Sequence, residues 1–459
     1  MVTAGSDRKK IITAALILVA LVFAKIMLRP FGALDELWVY NLSRGVAMGY
    51  LPYRDVAMET MPLYYLVFSL PLLLYRSLFV YRIATALMFS ALAISFYRIS
   101  TKMTDHLRGL LASSVFVALM DYSTYNGLMV LLMFFVFILF GRLNTRNAVI
   151  AGVLSGFALL CRQTSGVLFV IAVLCFMWFY KSFRKYILPF LIGWTVIMCM
   201  FAVYLLATDS FAAFWDCCLF ALIGSNETNS IFLADGITAG VIAAAGVAAS
   251  IYLIRKNHSK DDVLHLVFGL VLLTIAVPIV DLMHMLYSAA WFLIPILKLV
   301  DNKVSGSFLK ITIAAVSAVG LFLGVFELPQ TCLDNRYREL WMIPVRSSEI
   351  EYYEQLISFN SRFVDEGKHV VILTSGRCII SIMTDSFDTV YDNYFIANKG
   401  TRGPISFIEE DMENPDVMFL IPDDYEEENW TNPRGVLSYI QSECEPVERY
   451  DAFVWYAPG

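Results

Sequence analysis

Apolar runs of membrane length alternate with short polar breaks over the first three-quarters of the chain, and one long polar interruption disturbs that rhythm near its start. A helix crossing a hydrocarbon core of about 30 Å needs roughly 20 apolar residues. Ile11 to Leu28 satisfies this, follows Arg8, Lys9 and Lys10, and has no small-residue cleavage site before Arg29, so it reads as a retained first span. Further crossings are read at Phe79 to Tyr97, in a third element rising to Met120 and in a fourth returning to Arg142. Ala148 to Cys161 and Ser165 to Tyr180 flank Arg162 and Gln163. Ile187 to Ala207, Ile231 to Ile254, Val263 to Val280, Tyr287 to Leu299 and Ile311 to Phe326 complete the series. Leu63 to Tyr75 is apolar but short and holds Pro71, so it reads as a juxtamembrane or half-inserted helix.

Lys and Arg set the orientation, because they collect in short cytoplasmic loops. With Leu63 to Tyr75 left uncrossed, alternate loops are basic (Arg98 to Arg108, Arg142 to Arg146, Lys181 to Lys185, Arg255 to Lys260, Lys303 to Lys310). The loop from Thr208 to Ser230 holds no Lys or Arg at all. This predicts about eleven spans, the N-terminus in the cytoplasm and the C-terminus outside the plasma (inner) membrane. A membrane domain over residues 1–328, with its first outer loop at 30–62, thus precedes a tail at 345–459.

The tail changes character. Ser347 and Ser348 followed by Glu349 and Glu351 look like a capped helix start. His369 to Thr374, Val417 to Ile421 and Ala452 to Tyr456 read as buried strands between turn residues, and Gly435 to Cys444 as an amphipathic helix. The fold class is therefore an α-helical polytopic membrane protein carrying a small extracytoplasmic α/β domain. Composition excludes a soluble enzyme: 58% of residues are hydrophobic and 16% charged, against about 25% charged in ordinary globular proteins. The net charge of −6 hides a split, since from Arg346 onward 22 acids face 8 Lys or Arg. Eight scattered cysteines show neither metal-ligand spacing nor a disulfide framework.

The long polar interruption, Arg29 to Tyr65, is where the chemistry is expected. It carries Asp35, Glu36, Asp55 and Glu59, the arginines 44 and 54, and aromatics that include Tyr53. A carboxylate just past a span reads, taken alone, as a solvated helix end. Here Asp35, Trp38, Tyr40, Asn41 and Arg44 share a short helical stretch, Gly45 and Gly49 let the chain turn, and Asp55 and Glu59 return before Pro62. Such an arrangement holds a base near a hydroxyl, with aromatics as a platform for a sugar ring, and a general base needs both reach and a suitable pKa.

Leu34-Asp35-Glu36, then Gly49-Tyr50-Leu51-Pro52-Tyr53-Arg54-Asp55, then Met61-Pro62-Leu63-Tyr64-Tyr65 resembles the first outer loop of the GT-C glycosyltransferases, in the branch of protein O-mannosyltransferases and lipid A aminoarabinose transferases. The resemblance implies inverting transfer of a sugar from a polyprenyl-phosphate donor to a lipid, glycan or protein acceptor on the extracytoplasmic face. It implies Asp35 as base, with Glu36 and Asp55 orienting acceptor or sugar hydroxyls. Glu59, Tyr53, Asp121, Asn126 and His284 are the remaining acceptor- or sugar-site candidates. Cations should meet the leaving phosphate. Arg162, interrupting two short apolar segments, is the first candidate, because an ionisable residue sunk in a membrane is a functional hypothesis by default; snorkelling to the headgroups is its structural reading. Arg54 is the second.

The chain departs from the branch at Thr60-Met61-Pro62, where a Lys or His is usual, and at Asn126, where an acid is usual and Asp121 stands nearby. No cofactor is called for, and a divalent metal is the sole one to consider. Partners are the lipid-linked donor, its acceptor and membrane lipids, with no nucleic acid. The alternative from another class is a transporter or lipid flippase, which would place its charges near the midplane on broken helices and show repeated halves. A sensor or scaffold using the outer domain is a third reading.

Overall fold

The computed structural model describes residues 3–32, 34–120, 124–220, 233–276, 282–300, 304–326, 328–333, 335–374, 376–392, 400–423, 434–451 and 453–458. Helices run in the order α1 (Thr3–Met27), α2 (Leu34–Ala47), α3 (Leu63–Leu74), α4 (Leu78–Met103), α5 (His106–Leu119), α6 (Thr124–Phe140), α7 (Thr145–Leu159), α8 (Gln163–Phe179) and α9 (Ile187–Ala207). Next come α10 (Phe211–Trp215), α11 (Leu233–Asn257), α12 (Lys260–Leu273), α13 (Leu282–Leu299) and α14 (Gly306–Val325). Five described helices have the length and apolarity to cross a membrane, within Lys9–Met27, Leu78–Met103, Arg184–Ala207, Ile237–Asn257 and Gly306–Gln330. The other expected crossings fall on shorter apolar helices, α5 to α8, α12 and α13.

Residues divide between two compact units: 1–29, 82–201 and 230–329 form the first, and 30–81, 202–229 and 330–459 the second. The first is helical. Its helices approach closely where small residues allow it, the usual device where lipid removes the hydrophobic drive between helices. A Cβ on Gly152 would lie 2.0 Å from the Phe190 carbonyl oxygen, and one on Gly193 would lie 2.1 Å from that of Val149, so α7 and α9 touch backbone to backbone. Several ionised groups in this unit are paired or used as caps. Lys298 meets Asp262 at 2.7 Å and Lys102 meets Asp261 at 3.0 Å. Lys25, in the last turn of α1, donates to the carbonyls of Ala118 (2.7 Å) and Met120 (2.6 Å), where α5 ends with unsatisfied acceptors.

The second unit gathers the opening loop, the segment after α9 and the tail. In the tail, β1 (Cys332–Leu333) pairs antiparallel with β2 (Pro344–Val345). Helix α15 (Ser347–Asp365) leads to β3 (His369–Ile372), α16 (Arg377–Met383), α17 (Pro404–Met412), β4 (Val417–Pro422), α18 (Arg434–Glu443), β5 (Cys444–Tyr450) and β6 (Phe453–Pro458). The four-stranded sheet has order β3-β4-β6-β5, with β3 and β4 parallel and the other pairs antiparallel. Strand β4 is apolar throughout because it is covered on both faces. Phe419 and Ile421 pack with Leu437 and Ile440 of α18, while Met418 and Leu420 pack with Leu356 and Phe363 of α15 and with Trp455.

Three expectations are corrected here. Helix α15 starts without the capping box, since Arg346 holds the N-cap position and no side chain caps it. Cys444 opens strand β5 rather than closing a helix. That strand exposes Glu445, Pro446 and Val447 in succession at the sheet edge and carries a register irregularity after Pro446, as an edge strand tolerates. The segment after Thr208 is not plain loop: α10 runs on into a π-turn at Asp216–Phe220, with Cys217 and Cys218 buried.

Candidate active site

The opening loop is built around α2. Its first turn carries Asp35 and Glu36, where negative charge complements the positive end of the helix dipole. The chain enters over Gly32 at φ +118°, and Phe31 N–H donates to the Pro344 carbonyl of β2 at 2.7 Å. From there α2 lies almost wholly inside the unit. Leu37, Trp38, Val39, Tyr40, Asn41 and Arg44 are all buried, and so is Glu36, whereas Asp35 is exposed. One carboxylate of the pair therefore faces outward and its neighbour inward.

Two buried polar side chains fix the helix. Tyr40 donates to Glu339, a carboxylate whose pKa is raised by burial. The Arg44 guanidinium is fully covered and donates to Asn41 Oδ1 (2.9 and 3.1 Å), to the carbonyls of Ser381 (3.1 Å) and Ser386, and to Asp385 at 3.5 Å. Asp385 also accepts from Arg76 (3.4 Å) and Arg338 (2.9 Å), so one carboxylate is shared by three arginines from three parts of the chain. Gly45 faces Phe387, where a Cβ would sit 2.4 Å from the ring, and Tyr50 stacks on the same ring with centroids 5.1 Å apart.

The return segment is a tight structure of its own. Gly49 turns the chain at φ +104°. Asp55 accepts the Leu51 N–H at 2.7 Å and both Nε and Nη2 of Arg54 at 2.8 Å, a two-point ion pair that holds its carboxyl below the usual carboxylate range. Arg54, expected as a phosphate ligand, is thus engaged by its neighbour while its side chain is half exposed. Tyr53 is not an open platform. It takes φ +68°, a region a bulky residue enters only when its surroundings hold it there. Its ring is buried edge-on to Phe214, its hydroxyl donates to the Thr60 carbonyl at 2.8 Å, and Cys218 Sγ lies 3.3 Å from that hydroxyl. Tyr204 ties the same turn by donating to the Pro52 carbonyl at 3.0 Å. Glu59 is half-buried.

The other candidates belong to the first unit. Arg162 occupies the corner between α7 and α8 in extended conformation (φ −153°), and its Nη1 donates to Oδ1 of the buried Asn126 at 2.8 Å. The residue that departs from the branch's usual acid is thereby brought to the arginine proposed for phosphate. His284 is half-buried in the first turn of α13. Asp121 lies outside the described residues. Among the described residues no three His, Cys, Asp or Glu side chains come together as a metal site. The sequence reading passed over Arg82, which is fully buried in α4 and donates to the Arg29 carbonyl at 2.5 Å. Its signal was an arginine placed one turn inside an apolar span.

No family model matches the sequence, and no curated protein matches it. Solved structures do. ArnT from Cupriavidus metallidurans in the apo state is 9% identical over 98% of each chain, with a TM-score of 0.60. The same protein bound to undecaprenyl phosphate is 11% identical over 99% of this chain and 98% of that one, with a TM-score of 0.56. The oligosaccharyltransferase of Archaeoglobus fulgidus, tethered to an acceptor peptide containing the NVT sequon, is 12% identical over 92% of this chain and 69% of its own, with a TM-score of 0.55. Identity this low speaks for the fold, and these neighbours share one. The chain is an integral, polytopic, mostly helical membrane protein with the GT-C fold and a small C-terminal sheet.

Proposed function

We propose that this protein is an inverting glycosyltransferase that moves a sugar from a polyprenyl-phosphate donor to an acceptor hydroxyl at the extracytoplasmic surface of the plasma (inner) membrane. The observation that carries the reading is the outward carboxylate of Asp35 on a helix whose other polar side chains are locked inside, in a chain with the GT-C fold. Asp35 removes the acceptor proton as the acceptor oxygen bonds to the anomeric carbon. The bond from that carbon to the phosphate oxygen breaks, and polyprenyl phosphate departs with the electron pair. The Arg162 guanidinium, steadied by Asn126, meets the charge growing on the phosphate. Glu36, buried behind Asp35, and Asp55, closing the return turn, act as positioning groups.

The test is Asp35→Asn in the purified, reconstituted full chain, assayed with a panel of undecaprenyl-phosphate-linked hexoses and aminopentoses. Removing a general base costs about 10²- to 10⁴-fold, with folding and insertion intact. Transfer near the wild-type rate would take Asp35 out of the mechanism.

A further inference from the structure

In the first unit, an apolar groove of about 660 Å³ runs between α8 and α12. Leu168, Ile171, Cys175 and Phe179 line one wall, and Val267 and Leu270 are part of the other. From Leu168 to Tyr180 the α8 wall rises about 18 Å at 1.5 Å per residue, the scale of one lipid tail in one leaflet. One end of the groove is strongly basic. Tyr180 and Val263 line it there, and Lys181, Arg184, Lys185 and Lys260, all exposed, directly follow the one or shortly precede the other in the chain.

The cations are held at the rim. Lys260 Nζ sits 5.2 Å from the centroid of the Phe183 ring, which packs on Phe176 and Tyr180 of the groove. Arg184 lies 5.1 Å over Trp178 and donates through Nε to its carbonyl at 2.6 Å, a bond that uses neither of its terminal nitrogens. Asp261 and Asp262, which follow Lys260, are engaged by Lys102 and Lys298 respectively. Apolar length and clustered positive charge thus meet at one end of one groove.

We infer that this groove is a selective site for an anionic glycerophospholipid of the leaflet on the basic side, with one acyl chain between α8 and α12 and the phosphate on Lys181, Arg184, Lys185 and Lys260. Basic pockets between membrane helices on the cytoplasmic side hold such headgroups. The site is separate from the proposed donor site, because Arg162 and Asn126 lie beyond the opposite end of α8.

The full chain in detergent is mixed with phosphatidylglycerol and phosphatidylcholine of equal chain length, and bound lipid is counted by native mass spectrometry. Wild type retains one phosphatidylglycerol with a roughly tenfold preference. The quadruple change of Lys181, Arg184, Lys185 and Lys260 to Gln abolishes the preference, and Ala172→Phe, which fills the groove, reduces retention of both lipids. Equal retention of the two lipids by wild type, or a preference that survives the four substitutions, would overturn the site. Cys175 supplies a readout that removes none of the cations. With Cys199 and Cys332 changed to Ser, a bimane on Cys175 fills the groove and cuts phosphatidylglycerol retention while all four cations stay in place, and unchanged retention would reject the inference. Neither measurement depends on sugar transfer, so the site and the proposed activity stand or fall apart.

Discussion

At the scale of single residues, the opening loop separates exposed groups from groups spent on structure, and a linear reading could not make that division. Asp35 and Glu36 are adjacent in sequence, yet a helix turns about 100° per residue, so one faces out and the other in. Arg54 and Tyr53 looked like ligands because of their type and company. The structure engages them with Asp55 and Thr60 respectively, contacts that depend on a backbone turn no residue pattern specifies. The Arg54–Asp55 pair makes a prediction about acid. Asp55 titrates lower folded than unfolded, so its contribution is present above the ordinary carboxylate pKa of about 3.9 and is lost as pH falls through the lower folded value. Thermal melts of Asp55→Asn and wild type should differ by a constant small amount from pH 8 to about 5 and converge only below about 4. A difference that vanishes already near neutrality would show that the ion pair contributes nothing. Arg162 calls for a binding measurement instead: Arg162→Ala should weaken undecaprenyl phosphate binding about tenfold or more, with Arg162→Lys intermediate. Unchanged affinity would remove the arginine from the phosphate.

At the scale of elements, most helices were legible because long apolar runs have few alternatives in a bilayer. Strands β3, β4 and β6 were legible because buried strands read as continuous apolar runs. What escaped were elements whose residues follow a neighbour's demands. Edge strand β5 has the charge pattern of a loop, and the π-turn at Asp216–Phe220 follows from burying Cys217 and Cys218 rather than from helical periodicity. The seating of α2 shows how much rests on one missing methyl group. Gly45 read as a place to turn, yet it lies inside α2 and serves to admit the Phe387 ring. Gly45→Ala should cost about 1–3 kcal/mol, the usual range for overpacking. It should lower the thermal midpoint and reduce transfer together, because the helix carrying Asp35 is displaced. Combining it with Phe387→Leu, which opens the space, should recover most of both. If Gly45→Ala proves neutral, Phe387 yields easily and α2 is less firmly seated than its contacts indicate.

At the scale of the whole molecule, the proposal requires the second unit's opening loop and tail to stand on one side of the membrane and the basic loops on the other. The charge rule supplies that expectation, and the protein's own cysteines offer a direct way to test it. Of the eight, Cys161, Cys217, Cys218, Cys378 and Cys444 are buried, and burial pushes the Cys378 thiol up to about 12, so it reacts slowly even when reached. Cys175 and Cys199 are exposed on apolar helices, where hydrocarbon excludes a charged reagent. Cys332 is exposed in the segment that enters the tail. A membrane-impermeant maleimide applied to intact cells should therefore label wild type, and Cys332→Ser should lose nearly all of that label. Met103→Cys, placed in the Cys332→Ser background at the end of α4 beside the basic loop, should stay unlabelled until the membrane is permeabilised. If Met103→Cys reacts from outside while Cys332 does not, the orientation is reversed. Asp35 would then face the cytoplasm, and a sugar carried on an outward-facing polyprenyl phosphate could not reach it.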